Sequence, residues 1–373
     1  MDLAEGIAAI DAAAWDALRP TANPFVSHAF LDILERSGSA SVETGWQPVH
    51  LLLRGEGRLL GAAPLYVKSH SYGEYVFDWG WADAYERAGG RYYPKLQCAV
   101  PFSPVPGPRL LSRDHAAEVA RGLVAAAEQM PVSSLHVTFC SDREAALLAE
   151  AGCLRRRGIQ YHWHNRGYAN FEDFLGTLKS AKRKMIRRER REVEAAGLRF
   201  DTLTGAELTP EVMDAFYPFY RATVDRKWGS AYLGRAFFRM LGRDMADTVV
   251  LVTVHRGAEM VAAALNLRDE TTLYGRVWGC LDDYRFLHFE TCYYRAIDFA
   301  IRHGISRVEA GAQGPHKLQR GYEPVLTHSA HWIRDKALRD PVRRFVESEW
   351  RQLQAQMTEL REHLPYREAG ISD

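Results

Sequence analysis

The sequence predicts an α/β (α+β) protein with two similar units, each built on a mixed central sheet flanked by helices, and a helical insertion. Each half of the chain has strand–turn–strand signals that are followed by a helix and a further strand, and a polar helical stretch separates the halves. The chain has 373 residues, of which 47% are hydrophobic and 25% charged. This composition is typical of a globular chain that buries a large core.

The first half alternates strands and helices. The segments 50–54 and 57–70 predict a hairpin around the Gly55–Gly57 turn. Four prolines within 101–108 exclude a helix or a central strand and predict an extended loop. An amphipathic helix is expected within 1–20. Further helices are predicted at 114–130 and 143–152, and further strands at 133–140 and 158–167.

The second half repeats this order after a change of character. A long helix or a helix pair is predicted over 171–200, ending at Gly197. Three strands follow in 248–279, then a helix in 289–304 that ends at Gly304. Strands at 306–312 and 327–333 complete the pattern. We therefore predict a first domain over 1–165, a helical insertion belonging to the second unit over 166–245, and a second domain with a C-terminal helix over 246–373.

A strand meander followed by a helix and a strand is the order expected of a GNAT (acyl-CoA N-acyltransferase-like) unit. The parallel pairing across its final strand–helix–strand segment needs a right-handed crossover, which the helix length permits. The sequence therefore predicts two GNAT-like units.

Charge and cysteine patterns exclude several classes. The net charge is +1, so no global field attracts nucleic acid or membrane, and no apolar stretch is long enough to span a bilayer. The N-terminus lacks a signal-peptide pattern, so a cytoplasmic location is expected. The five scattered cysteines predict free thiols. Zinc-ligand spacing, a Walker loop and a Ser-His-Asp order are all missing from the sequence.

Three segments are specific enough to indicate a family. They are NPFVSHAFLDILERSGS (23–39), KLQCAVPFSPVPGPRLL (95–111) and HFETCYYRAIDFAIRHGISRVEAGAQGPHKLQRGYEP (288–324). Over nearly its whole length the chain resembles the FemAB-like proteins, which are associated with peptidoglycan biosynthesis or recognition. The resemblance alone does not name a substrate.

The better-studied Fem transferases are similar at a greater distance. They have two GNAT-like domains with a helical arm, and they move an amino acid from aminoacyl-tRNA to the amine of a peptidoglycan precursor. The segment 177–200 resembles the basic element that leads into the arm, and HKLQRGYEP (316–324) resembles their late lysine motif. By this match, the resemblance implies that Lys317 stabilises the acyl-transfer intermediate.

The residues around Lys317 suit this chemistry. Acyl transfer to an amine passes through an oxyanion that a cation can stabilise, and the glycines near Lys317 let the backbone approach a ligand. Proton removal from the amine needs a base. We expect Lys317, Glu290 and His316 to be catalytic, with His288 as a rival base. Glu290 could instead be a first-turn carboxylate that complements the helix dipole.

Several other side chains are predicted to bind substrate. Arg276 and Trp278 lie two apart on one strand and so share a face, although an exposed arginine beside a core tryptophan is the alternative. The segments 78–85 and 92–95 combine rings with acids, which suits a sugar–peptide or an amine ligand but also an interface. The predicted binding residues are Arg276, Trp278, Gln313, Arg320, Tyr293, Asp78, Trp81 and Lys95.

A basic run favours a nucleic-acid partner. Seven cations lie within 182–191, and we expect Lys182, Arg183 and Arg187 to contact tRNA phosphates. Nearby glutamates allow i,i+4 pairing, so a solvated, salt-bridged helix is the alternative.

The acyl donor is a co-substrate, and no cofactor or metal is expected. Where GNAT enzymes bind the pyrophosphate of acetyl-CoA, this chain has CLDDYRFLH (280–288), which lacks glycine and carries Asp282 and Asp283. Aminoacyl-tRNA is therefore favoured as donor, with a small-molecule or muropeptide-like amine as acceptor. An acetyl-CoA-dependent N-acetyltransferase and a non-catalytic module that recognises a cell-wall fragment are the alternatives.

Overall fold

The computed structural model describes residues 1–226, 229, 231–311 and 314–367. Contacts between residues divide the chain into two compact units. Unit 1 comprises Met1–Gly158 and Leu326–Ala355, and unit 2 comprises Ile159–Val325 and Gln356–Asp373. The divisions fall within β8, β14 and α12, whose bounds are given below, and the predicted domain limits at 165 and 245 remain predictions.

Fourteen strands lie in the described residues. Their bounds are β1 Asp2–Ala4, β2 Trp46–Pro48, β3 His50–Gly55, β4 Arg58–Ala63, β5 Leu65–Lys68, β6 Lys95–Cys98, β7 Ser134–Cys140, β8 Leu154–His164, β9 Arg199–Leu203, β10 Val249–Arg256, β11 Glu259–Arg268, β12 Thr272–Cys280, β13 Arg307–Glu309 and β14 Glu323–Ile333.

The same part of the chain forms twelve α-helices. Their bounds are α1 Ala12–Ala17, α2 His28–Arg36, α3 Trp79–Arg87, α4 Ala116–Gln129, α5 Asp142–Glu150, α6 Phe171–Gly176, α7 Ser180–Ala195, α8 Pro210–Arg226, α9 Arg235–Asp244, α10 Leu287–Phe289, α11 Arg295–Arg302 and α12 Lys336–Glu362. A π-helical turn, Glu290–Tyr294, joins α10 to α11, and a 3₁₀ segment, Pro315–Arg320, follows β13.

Unit 1 places its strands in two sheets. One has the order β1-β3-β4, and the other contains β2, β5, β6, β7 and β14 as successive neighbours. Strands β6 and β7 are parallel, and α4 connects them. Apolar side chains of β5, β6 and β7 pack with those of α4 and α5 in one core. The other face of these strands carries polar residues that are also buried, as described below.

Unit 2 has a sheet in which β8, β13, β12, β11, β10 and β9 are successive neighbours. Strands β12 and β13 are parallel, with the helical segment 287–302 between them in sequence. Its aromatic core includes Trp163, Phe174 and Tyr294. The strand–helix–strand order of unit 1 therefore recurs in unit 2, and the predicted fold class is confirmed.

Two local predictions differ from the structure. The strand predicted over 57–70 is divided by Pro64 into β4 and β5, which belong to different sheets, because proline cannot donate a ladder hydrogen bond. The helix predicted within 1–20 is confined to α1, and Asp2–Ala4 instead pairs with β3.

Candidate functional site

Lys317 lies in the 3₁₀ segment that follows β13. Its side chain is buried, with the residue 4% exposed. The ammonium Nζ donates to the carbonyl oxygen of Ala310 at 2.5 Å and of Gly311 at 3.2 Å, and it lies 6.0 Å from the ring centre of Tyr161. The backbone N–H of Tyr161 also donates to Gly311. The lysine therefore holds the chain just beyond β13. Gln313, which was predicted to bind substrate, lies outside the described residues.

His316 forms an aromatic cluster with residues of the preceding helical segment. Its Nε2 lies 3.0 Å from the hydroxyl oxygen of Tyr293. The ring of His288 lies 5.2 Å from that of Tyr293 and 5.6 Å from that of Trp278. Burial, with help from the charges of Arg320 and Lys317, lowers the pKa of His316, so its imidazole is neutral at pH 7. The structure thus brings together four of the residues that the sequence singled out.

Arg320 is engaged by the protein itself. One terminal nitrogen donates to both carboxylate oxygens of Glu189 at 2.7 and 2.8 Å, and Nε donates to the Tyr294 hydroxyl at 2.9 Å. The guanidinium stacks 3.5 Å from the ring centre of Phe289. This residue anchors the 3₁₀ segment to α7, which favours a positioning role over direct substrate binding.

Glu290 is likewise occupied. Arg190 donates two hydrogen bonds of 3.1 Å to its carboxylate, and Arg295 donates a third of 2.8 Å. The carboxylate is buried in the π-helical turn. These three charge-assisted hydrogen bonds occupy both carboxylate oxygens, which favours the structural role weighed for this residue.

Arg276 and Trp278 lie on β12 and are both partly buried. Tyr274 of β12 pairs with Glu309 of β13, and Gly275 follows on β12. A side chain at Gly275 would press on the carbonyl oxygen of Glu309, since its Cβ would lie 3.2 Å away. The backbone of β13 therefore approaches β12 closely just before Arg276.

Glu309 is a functional candidate that the sequence analysis missed. It ends β13, is 3% exposed, and its Oε1 lies 3.1 Å from Nε of Arg307. Its other oxygen, Oε2, has no hydrogen-bond partner among the residues that the structure describes. Burial raises the pKa of Glu309 to about 7. An acidic residue in an apolar strand before a glycine loop was the signal that could have identified it.

In unit 1, Asp78 and Lys95 form a buried ion pair. Lys95 Nζ donates to Asp78 at 2.5 Å, to Glu74 at 2.8 Å and to the Ser71 hydroxyl at 2.7 Å. Burial alone would lower the pKa of Lys95, but the two carboxylates outweigh it and raise that pKa. Trp81 packs against this layer, with its ring 5.0 Å from that of His331. All three predicted binding residues are therefore buried inside unit 1.

The buried polar layer of unit 1 extends across four strands. Lys68 on β5 pairs in register with Lys95, and His136 on β7 pairs with His331 on β14. Burial lowers the pKa of Lys68 to about 7 and that of His136 to about 3. Alternation places these side chains on the face opposite the apolar core. Of the four strand residues in this layer, the sequence analysis identified only Lys95, because single polar residues in apolar strands have no distinctive pattern.

The basic run lies on α7 and is partly neutralised within unit 2. Arg187 donates to Glu172 at 2.5 Å, Arg188 lies 3.7 Å from Glu192, and Arg190 binds Glu290. Lys182 and Arg183 are partly buried, and Arg183 donates to the carbonyl of Leu178. The helix therefore forms the salt bridges of the alternative that the sequence allowed, and its contact with nucleic acid stays a prediction.

The segment between β12 and α10 carries exposed acids. Asp282 and Asp283 are both exposed, and Phe286 ends the segment with a positive φ of 62°. A phosphate placed here would meet two carboxylates.

The five cysteines of the chain are free thiols, and four of them are buried. In the described part of the chain we find neither a cluster suited to metal binding nor a helix long and apolar enough to cross a membrane.

Comparison with protein families gives one extensive match. The model of the FemAB-like family, described as peptidoglycan biosynthesis/recognition, covers residues 6–368. A search among curated proteins found no match.

Solved structures share the fold at low sequence identity. The structure of FemX is 11% identical, with a TM-score of 0.56, and covers 92% of this chain and 100% of its own. L-PGS from Bacillus licheniformis is 11% identical, with a TM-score of 0.53, and covers 94% and 98%. The C-terminal domain of a lysylphosphatidylglycerol synthetase, described as putative, from Agrobacterium fabrum is 10% identical, with a TM-score of 0.53, and covers 84% and 94%. These similarities establish the fold.

Proposed function

Because the chain belongs to the FemAB-like family of peptidoglycan biosynthesis/recognition proteins, we propose that it is an N-acyltransferase that acts on the amine of a peptidoglycan precursor. Aminoacyl-tRNA is the donor that we favour. The names of two structural neighbours, FemX and a lysylphosphatidylglycerol synthetase described as putative, agree with aminoacyl transfer. We assign the chemistry to unit 2, where the 3₁₀ segment Pro315–Arg320, which we call the lysine segment because it contains Lys317, follows β13.

The observation that carries this proposal is the buried ammonium of Lys317. The carbonyls of Ala310 and Gly311 fix it at the carboxyl end of a strand in a parallel pair. Ligands of α/β sheets bind at this end of the strands. A positive charge held in a low-dielectric site stabilises the oxyanion of the tetrahedral intermediate much more than the same charge in water.

The segment 281–286 supports aminoacyl-tRNA over acetyl-CoA. A pyrophosphate is bound by backbone N–H groups at a helix N-terminus, usually through glycines. Asp282 and Asp283 are exposed at this place and would repel a diphosphate. An acetyl-CoA-dependent acetyltransferase is thus the weaker alternative, and recognition of a cell-wall fragment without catalysis is a further outcome for the test.

The test is a transfer assay with two donors and a control without donor. The purified chain is incubated with a muropeptide that carries a free side-chain amine and with total tRNA charged with radiolabelled amino acids, labelled acetyl-CoA, or no donor. We expect label on the muropeptide with charged tRNA alone. Label from acetyl-CoA would support the alternative donor, and calorimetric binding of the muropeptide without transfer from either donor would support a recognition module.

Lys317→Ala provides the mechanistic test. Removal of one preorganised oxyanion donor typically costs about 10²–10³-fold in kcat, and we expect a loss of this size with an unchanged circular dichroism spectrum. Lys336→Ala, at an exposed position in α12, is the matched control and should retain full activity. Full activity in the Lys317→Ala variant would remove this residue from the mechanism.

A further inference from the structure

The parallel strands of unit 2 stop pairing at one position. Thr272, Leu273 and Tyr274 of β12 pair with Arg307, Val308 and Glu309, whereas β12 itself continues to Cys280. β13 also pairs with β8, and this pairing continues beyond Glu309 while the pairing with β12 ends, because Ala310 and Gly311 share backbone hydrogen bonds with Tyr161. Glu309 therefore lies where the two strands separate, which is the position at which an α/β sheet receives a ligand.

The carboxylate of Glu309 is incompletely satisfied. Oε1 lies near Arg307 and 3.9 Å from Nδ1 of His162, while Oε2 has no hydrogen-bond partner in the part of the chain that is described. A buried acceptor without a donor destabilises the folded chain, and more so when it is charged. A ligand with N–H donors would remove this cost.

Titratable groups, some charged and some neutral, surround Glu309 on the neighbouring strands. Burial raises its pKa to about 7; the charges of Arg307 and Arg276 oppose this increase, and that of Asp269 adds to it. On β8, burial lowers the pKa of His162 to about 3, so this ring is neutral at pH 7. On β12, burial raises the pKa of Tyr274, so the phenol is neutral as well.

Glu309 is adjacent in the chain to the residues that hold Lys317. The Lys317 ammonium binds the carbonyls of Ala310 and Gly311, which are the two residues that follow Glu309. The backbone segment 309–311 thus bears the Glu309 carboxylate, with its unbonded oxygen, and also binds the Lys317 ammonium through two carbonyls. Amine acylation needs a base for the amine and a cation for the oxyanion, and these two groups can provide them.

We propose that Glu309 binds the ammonium group of the acceptor and takes its proton. This inference rests on the proposed acyl transfer. The proton moves from the ammonium to Oε2, and the free amine attacks the ester carbonyl carbon of the donor. The C–N bond forms first and places the carbonyl electrons on the oxyanion of the tetrahedral intermediate; the carbonyl then re-forms as the ester C–O bond breaks. A second proton passes from the nitrogen to the departing 3′-oxygen of the tRNA, and Glu309 then releases its proton to solvent.

The first experiment measures binding and needs no turnover. Calorimetry compares a muropeptide with a free side-chain amine and the same muropeptide with that amine acetylated. We expect the wild-type chain to prefer the free amine, and Glu309→Gln to reduce this preference about tenfold or more, since the Gln amide cannot accept a charge-assisted hydrogen bond of equal strength. Glu259→Gln, exposed at the start of β11, is the matched control and should retain the preference.

The outcomes separate the two proposals. A wild-type chain without preference for the free amine, or a Glu309→Gln variant that retains the preference, overturns the role of Glu309. If the chain prefers the free-amine muropeptide only when Glu309 is present, but transfers no acyl group from any donor, the amine site is supported and the proposed acyl transfer is contradicted.

The second experiment is a pH profile of transfer. For the wild-type chain we expect kcat/KM to rise tenfold per pH unit up to about pH 7, because a protonated carboxyl cannot take a proton. Without this base the acceptor ammonium must lose its proton to solvent, so kcat/KM of Glu309→Gln should keep rising above pH 7, and Glu309→Asp should restore the levelling in part. A purely structural role would lower kcat/KM at every pH and leave the levelling above pH 7 in place, which would contradict the proposal.

Discussion

Single buried charges distinguish the chemistry of the two units at the scale of residues. Lys95 donates three hydrogen bonds, two of them to carboxylates, so its charge is balanced within unit 1. Glu309 has one oxygen near Arg307 and one without a partner among the described residues. Oε1 of Glu74 and Oδ1 of Asp78 also lack a hydrogen-bond partner among the described residues, but both carboxylates accept a hydrogen bond from Lys95. The fully bonded ammonium of Lys95 is a structural element, whereas the second oxygen of Glu309 can accept a hydrogen bond from a ligand.

The raised pKa of Glu309 makes the free energy of unfolding depend on pH. The folded-state pKa of Glu309 is raised from 4.5 to about 7, so its stabilising contribution is complete below pH 4.5 and is lost as the pH rises through about 7. Glu309→Gln cannot ionise. We expect its free energy of unfolding, relative to the wild-type value, to increase by up to about 1.4 kcal/mol per pH unit between pH 5 and 7.

Urea unfolding of both proteins at several pH values measures this difference. A difference that does not change with pH would show that Glu309 ionises as freely in the folded chain as in the unfolded one.

The balanced network of unit 1 predicts a different response. Lys95→Met leaves the carboxylates of Glu74 and Asp78 buried without their main cation, which should cost about 3–5 kcal/mol in the free energy of unfolding. The triple variant Lys95→Met, Glu74→Gln, Asp78→Asn removes all three charges and should recover part of this loss. Equal destabilisation of both variants, measured by urea unfolding, would contradict the role of charge.

At the scale of elements, α7 anchors the lysine segment. Glu189 of α7 accepts two hydrogen bonds from Arg320 and one from Tyr294. Gly321, with φ of 88°, ends the 3₁₀ segment, and a side chain here would collide with the ring of Phe174. The position of Lys317 therefore depends on contacts between its neighbours in the chain and residues that are distant in sequence.

Removal of this anchor should mobilise the segment. We expect Glu189→Gln to increase amide hydrogen exchange in residues 316–322 while most of the sheet of unit 2 stays protected, because buried Arg320 loses its ionic partner. Glu192→Gln, on the same helix but in the more exposed pairs with Arg188 and Arg285, is the control and should leave exchange unchanged. Unchanged exchange in the Glu189→Gln variant would show that the anchor is dispensable.

At the scale of the whole molecule, each unit contains a parallel strand pair with a helical connection. Unit 1 has β6, α4 and β7, and unit 2 has β12, the helical segment 287–302 and β13. Only unit 2 combines this arrangement with the basic helix α7. A polyanionic donor such as tRNA would therefore be bound by unit 2 in our proposal.

The salt dependence of tRNA binding tests this assignment. Each lost phosphate contact lowers the slope of log K against log salt by about 0.7–0.9, so Lys182→Gln, Arg183→Gln and Arg187→Gln together should lower it by about 2–3. The control triple variant changes the exposed Arg343, Arg344 and Arg351 of α12 to Gln. Filter binding at several salt concentrations gives the slopes, and an equal effect of both variants would exclude a specific role for α7.

The sequence by itself determined the family and the order of strands and helices. Hydrophobic periodicity specified three adjacent strands in 248–279, and Gly304 specified the end of the helix before β13. These features are local, because each depends on residues within one or two turns of each other. The family model matches residues 6–368.

The tertiary structure alone decided which polar residues are available for chemistry. The sequence predicted a catalytic role for Glu290 and substrate binding for Arg320, yet Arg190 and Glu189 of α7 bind these two side chains. Glu309 looks like an ordinary strand residue, yet burial leaves one of its oxygens without a described partner. Arg190 and Glu290 are 100 residues apart, and Glu189 and Arg320 are 131 apart, so no local pattern encodes these hydrogen bonds or the burial that accompanies them.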